Sequence, residues 1–93
     1  MTCVKKPIFG SQRDWMDVIV DILRSTSKPR LELDIMYETK FYHPKNMHEH
    51  LQFLLNTELL IAYDKNGETY YERTEKGTKL IRSYKKLENL VNL

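Results

Sequence analysis

The sequence predicts a mainly α-helical domain that carries a single two-stranded β-hairpin. Three observations predict it. Apolar residues recur at three- and four-residue steps in separate stretches, the mark of helices with one buried face. The dipeptide Asn66-Gly67 interrupts that period within an aromatic-rich run, where alternation takes over. The last stretch then returns to steps of four, three and four, at Leu80, Tyr84, Leu87 and Val91.

The elements follow in order. Residues 1–10 read as a flexible N-terminal arm, with Pro7 and Gly10 as breakers. Ser11 and Asp14 resemble a capping box and open a first helix. Trp15, Val18, Ile19, Ile22 and Leu23 make its inward face, and it should stop near "STSKP", because Pro29 disfavours helix in the residue before it. A short second helix is expected from about Arg30 to Glu38, with Leu31, Ile35 and Met36 inward. Pro44 suits the first turn of a third helix, where its missing N–H costs nothing. That helix should run to about Asn56 on a stripe of Met47, Leu51, Leu54 and Leu55.

"LLIAYDKNGETYYERT" is the hairpin. Asn-Gly supplies the two positive-φ positions of a type I′ turn. Counting outward pairs Lys65 with Glu68, Tyr63 with Tyr70 and Ala62 with Tyr71, so charges and aromatics match across the strands. Thr74 is a good N-cap for the final helix, and Glu75 suits the positive end of its dipole. The seam of Leu80, Tyr84, Leu87 and Val91, widened by Ile81, Leu90 and Leu93, is more apolar surface than the end of a small domain can cover by itself. It either folds back on the domain or packs against a second copy, and the second is the expectation. Helix, turn and helix followed by a hairpin is the winged helix-turn-helix order. The expected division is an arm at 1–10, a winged-helix domain at 11–74 and a C-terminal coiled-coil helix at 75–93.

Composition bounds the function. A chain of 93 residues buries only roughly 60–65 % of its unfolded surface, which leaves little scaffold for a deep catalytic pocket. The net charge is +2, and its distribution says more than its total. Lys and Arg outnumber Asp and Glu by six to three over residues 1–30 and by seven to five over 61–93, but stand at two against five over 31–60. Any contact with nucleic acid must therefore be local. Cys3 is the only cysteine, which excludes an internal disulfide framework and a cysteine-rich zinc module. No apolar run reaches the length of a membrane span, and the N-terminus lacks the apolar core of a signal peptide. The expectation is a soluble, cytoplasmic, nucleoid-associated protein without a membrane partner, with cellular and viral origins both open.

"DIMYETKFYHPKNMHEHLQFLLNTELLI" followed by "YYERTEKGTKLI" resembles the small archaeal winged-helix DNA-binding proteins that pair through a C-terminal antiparallel coiled coil. The matching marks are Ile35-Met36-Tyr37, the apolar "LQFLLNTELL" leading into the wing, and the Tyr-x-x-Thr-x-Lys-Gly run from Tyr71 to Gly77. The likeness spans about Asp14 to Leu93. It implies double-stranded DNA as partner, a homodimer, no catalysis and no required cofactor, in either transcription regulation or chromatin. Two departures stand out. Arg73 replaces an aliphatic residue in the second wing strand, where its stem could cover the core and its head reach solvent. The third helix is also less basic than the family's.

That third helix begins in "HPKNMHEH". With the stripe inward, Lys45, Glu49, Gln52 and Asn56 point outward and Asn46 and His48 flank them. In a helix-turn-helix the second helix of the pair enters the major groove by its N-terminal part. Asn and Gln can read adenine edges, Lys can reach guanine acceptors, and Glu can accept from a cytosine amine. Lys40 and Tyr42 before this helix, Lys65 at the wing tip and Arg73 on the wing are candidate DNA-backbone contacts. Lys28 and Arg30 ahead of the second helix, and Lys5 and Lys6 on the arm, could add others. His48 and His50 lie two residues apart and point to different sides of a helix, so they do not make the i, i+4 metal pair. No nucleophile, paired acid and base or phosphate loop appears, so neither catalytic residues nor metal nor cofactor is expected. His43 and His48 beside phosphates would strengthen binding as pH falls. The alternative function is a winged helix serving as a protein–protein interaction module without DNA binding.

Overall fold

The computed structural model describes residues 15–91. The arm, the Ser11–Asp14 helix start, Cys3, Lys5, Lys6 and Leu93 lie outside the described residues. The chain forms α1 (Trp15–Ser25), α2 (Glu32–Thr39), α3 (Pro44–Asn56), β1 (Leu60–Lys65), β2 (Glu68–Arg73) and α4 (Glu75–Val91). Among the described residues four helices and one antiparallel hairpin, in this order, make the winged arrangement expected from sequence.

One core joins the elements: Val18, Ile19, Ile22 and Leu23 of α1, Ile35 and Met36 of α2, Met47, Leu51 and Leu54 of α3, then Leu59, Leu60 and Tyr71. The predicted stripes supply almost all of it. Trp15 departs from its stripe and stays 48 % exposed, whereas Val20, off the stripe, is buried. α1 stops at Ser25, ahead of Pro29. There the buried Thr26 hydroxyl donates to the carbonyls of Ile22 and Leu23, at 2.9 and 3.1 Å, and covers acceptors that a further turn would have used.

The second helix starts later than the sequence suggested. Arg30 is extended and pairs with Tyr71, donating its N–H to the Tyr71 carbonyl at 2.9 Å and accepting the Tyr71 N–H at 2.8 Å. It therefore adds a one-residue third strand to the outer edge of β2, and α2 begins only after the extended N-cap residue Leu31. The hairpin register is the expected one, with Lys65 opposite Glu68, Tyr63 opposite Tyr70 and Ala62 opposite Tyr71. Asn66 and Gly67 take φ values of 56° and 82°, as a type I′ turn requires.

Two helices end on left-handed residues that are not glycine. Lys40 has φ 56° and Glu58 has φ 64°. At both ends the two following amides turn back onto the helix: Lys40 N–H to Tyr37 and Phe41 N–H to Met36, then Glu58 N–H to Leu55 and Leu59 N–H to Leu54. This is the Schellman pattern, in which each pair closes two orphan carbonyls. α4 opens as predicted, with the Gly77 N–H donating to the Thr74 hydroxyl at 3.2 Å. Gly77 itself is buried, and a Cβ there would stand 2.6 Å from the Leu59 carbonyl oxygen. α4 thus crosses the start of β1 at a separation that only glycine permits.

Candidate nucleic-acid interface

α3 presents the candidate reading face. Pro44 occupies its first turn after an extended His43 N-cap. Met47, Leu51 and Leu54 are fully buried, each contributing roughly 1.5–3 kcal/mol of apolar burial. That anchoring holds the opposite face in a set direction. Lys45, Asn46, His48, Glu49 and Gln52 are all exposed on it. The helix continues the short α2–α3 corner, where Lys40 and Tyr42 are also exposed.

The histidines divide by environment. His50 is buried, stacked on Trp15 at 4.3 Å and met edge-on by Phe41 at 5.5 Å. Its Nδ1 donates to the Asn46 carbonyl at 2.6 Å, so it serves packing. Trp15 closes over it and also meets Phe53 at 5.3 Å, which explains why an aromatic so exposed is still held. His43 leans on Phe41 at 5.2 Å, and His48 is exposed. Among the described residues no group of His, Cys, Asp and Glu could hold a metal ion. Nor, among them, is any helix long and apolar enough to cross a membrane.

On the wing, Lys65 is exposed at the tip. Behind it Tyr63 and Tyr70 stack across the strands at 6.3 Å. Desolvation, then the Glu72 carboxylate that accepts its hydrogen bond, push the Tyr63 phenol above its ordinary value. Arg73 is placed differently from the expectation that its head reaches solvent. Its Nη1 donates to the Leu23 carbonyl at 3.0 Å and its Nε to the Thr78 hydroxyl at 3.0 Å. The guanidinium therefore closes the C-terminal end of α1 and ties it to β2 and α4. Arg30 is likewise engaged, with Glu38 at 2.9 Å and the Ser25 carbonyl at 3.2 Å. Lys28 is exposed.

The predicted seam on α4 splits in two. Leu80 and Ile81 are half-buried against the core, and the Tyr84 hydroxyl donates to Asp17 of α1 at 2.6 Å. Tyr84 thus has a partner within its own chain. Beyond it Leu87, Leu90 and Val91 are 57, 67 and 74 % exposed. Sequence reasoning did not single out the outward face of α4, where Lys79, Arg82 and Lys86 follow one another at steps of three and four. That spacing was the available signal.

A family model described as winged helix-turn-helix matches residues 12–92. The chain belongs to the winged helix-turn-helix family. Solved structures agree in fold. Sso10a-2, a DNA-binding protein from Sulfolobus solfataricus, superposes with a TM-score of 0.77 at 22 % identity, covering 86 % of this chain and 83 % of that one. Diamide-treated YodB from B. subtilis gives 0.71 at 20 % identity, with coverage of 99 and 93 %. The reduced form of the same transcriptional regulator gives 0.67 at 21 % identity, with coverage of 96 and 89 %. No curated protein sequence matches the chain significantly.

Proposed function

We propose that this winged helix binds double-stranded DNA as a homodimer and acts as a transcriptional regulator or a small chromatin protein, without catalysis. The observation that carries the reading is the division of α3. Met47, Leu51 and Leu54 are fully buried, while Lys45, Asn46, His48, Glu49 and Gln52 are exposed on the opposite face. A helix seated this way offers donors and acceptors to the major groove. Lys40, Tyr42 and Lys65 flank it as phosphate contacts; Arg73, engaged with Leu23 and Thr78, is not part of the set. The DNA-binding neighbour from Sulfolobus and the regulator from B. subtilis support the same reading. The exposed Leu87, Leu90 and Val91 support pairing through the end of α4, which would place two reading heads on one assembly and raise avidity.

Titrating a labelled duplex across a salt series tests this. About six phosphate contacts give a log–log slope near −5. Lys45→Ala and Gln52→Ala should each weaken binding, and parent-like affinity in both variants would remove α3 from the interface. One observation favours the protein-interaction alternative: α2 exposes Leu33 and Tyr37 at 75 and 74 %, beside Glu32 and Asp34. A parent that binds no duplex at low salt would decide for that alternative.

A further inference from the structure

The proposed reading face is short of positive charge. α3 offers one lysine, Lys45, against one carboxylate, Glu49. Phosphate neutralisation supplies most of the affinity of a DNA-binding surface, so this face alone is electrostatically weak. The cations are elsewhere. α4 carries Lys76, Lys79, Arg82, Lys85 and Lys86 against Glu75 and Glu88.

Helical geometry sorts these residues. At about 100° per residue, Lys79, Arg82 and Lys86 fall within an arc of roughly 60°. The inward residues of α4, Gly77, Leu80, Ile81 and Tyr84, centre roughly half a turn away. The stripe therefore faces away from the body of the domain. Lys79, Arg82, Lys85 and Lys86 are all exposed, and among the described residues none of them has a carboxylate within ion-pair distance. A solvated helix face that serves solubility alternates charge signs at i, i+4. Here Glu75, four residues before Lys79, is the one such carboxylate, and from Lys79 to Lys86 the face presents a single sign for about 10 Å. Lys76 is separate, since its ammonium donates to the Thr57 carbonyl at 2.9 Å and pins the first turn of α4 to the C-terminal end of α3. That contact locates the stripe. It starts by the end of α3 opposite Lys45, one helix length of about 18 Å away.

We infer that the outward face of α4, through Lys79, Arg82 and Lys86, is a second contact for the phosphate backbone of duplex DNA, apart from the α3 face. Phosphates recur along each strand, and flexible cations about 4–6 Å apart along a helix can each reach one without any base being read. Pairing centred on Leu87 and Val91 leaves Lys79 and Arg82 open, because those leucine and valine positions lie more than a quarter turn round the helix from the middle of the stripe. Leu90 lies beside Lys86, so a partner that reaches it borders only that end of the stripe. This second contact shares with the α3 face only the class of ligand and stands on different residues.

The test uses the full chain and a 40-bp duplex of arbitrary sequence, titrated between about 50 and 200 mM KCl. Three proteins are compared: the parent, the triple variant Lys79→Gln, Arg82→Gln, Lys86→Gln, and the double variant Lys45→Gln, Lys65→Gln. Circular dichroism and sedimentation check that fold and mass are unchanged. The expected result is a log–log slope shallower in the triple variant by about 2–3 for each protomer engaged, at roughly 0.9 per phosphate contact. Lys79→Arg with Lys86→Arg should keep the parent slope. A triple variant with the parent slope overturns the inference, even when the double variant binds more weakly and so upholds the α3 face. A loss confined to the triple variant supports the inference and counts against α3 and the wing. A triple variant that releases a polyglutamate peptide but keeps the duplex also overturns it, because the stripe would then serve an acidic polypeptide. So does a parent that binds no duplex.

Discussion

Gly77→Ala tests how α4 is mounted on the domain. The new methyl carbon would sit 2.6 Å from the Leu59 carbonyl oxygen, 3.3 Å from Leu23 Cδ2 and 3.4 Å from the Arg73 Cβ. The Leu23 methyl can turn aside. The carbonyl cannot, because it already accepts the Thr74 N–H at 3.0 Å at the head of the same helix. Carbon–oxygen contacts settle at about 3.3–3.6 Å, so α4 must withdraw by roughly 0.7 Å or more. Overpacking costs about 1–3 kcal/mol, and a contact of 2.6 Å to a backbone oxygen belongs in the upper part of that range, about 2–3 kcal/mol. Alanine returns about 1 kcal/mol of helix propensity over glycine, so the net loss should be about 1–2 kcal/mol. In a domain of this size that lowers Tm by about 5–15 °C. Thermal and urea unfolding followed by circular dichroism, at one protein concentration, would measure it, with a lowered urea midpoint and an unchanged m-value. A Gly77→Ala protein as stable as the parent, or more so, would show that propensity outweighs the close approach and that α4 is not held at this crossing. Ser83→Ala, on the exposed side of the same helix, is the control and should be neutral or slightly stabilising.

Three further outcomes are expected. Arg73→Met should lower stability by about 1–3 kcal/mol in urea unfolding, because the Leu23 carbonyl and Thr78 hydroxyl lose their donor, while the salt slope of DNA binding stays that of the parent. A slope shallower by about one would return Arg73 to the interface. Leu87→Asp should halve the mass in sedimentation and weaken duplex binding at least about tenfold through lost avidity; a monomer with parent affinity would sever dimerisation from function. Burial, then the charges of Glu32 and Asp64, hold the Tyr71 phenol neutral above its ordinary value. Its contribution to stability is therefore complete below the unfolded value of about 10 and is lost as pH rises through the higher folded value. Unfolding measured from pH 9 upward should show that decline, and Tyr71→Phe should reduce it.

The hairpin was legible to the residue because its determinants are adjacent. Asn66 and Gly67 select the turn, and the turn then sets every pairing from Lys65–Glu68 outward. The Thr74 cap and the stripes of α1 and α3 were legible for the same reason, being patterns within one element. The end of α3 at Asn56 was legible too, and that of α2 lay one residue past Glu38, but what closes these two helices was not. Lys40 and Glu58 hold left-handed positions that glycine usually marks, and what keeps them there is the packing of Phe41 and Leu59 onto the core.

The candidate site divides along the same line. The outward face of α3 follows from the position of its apolar stripe, so helical period alone names Lys45, Asn46, His48, Glu49 and Gln52. Their charge gives no hint of what else takes part.

Local order was decided by the chain itself: which stretches coil, where the ribbon folds back, which side of each helix is apolar. Partners distant along the chain were decided only by the tertiary structure. It put Arg30 beside Tyr71, turned Arg73 onto the end of α1, tied Tyr84 to Asp17 and left the cations of α4 facing outward. The physical reason is range. Turn geometry and helical period act over a few residues and can be read from them, whereas a guanidinium takes whichever acceptor the folded core brings within about 3 Å, and that choice is not written in its neighbours.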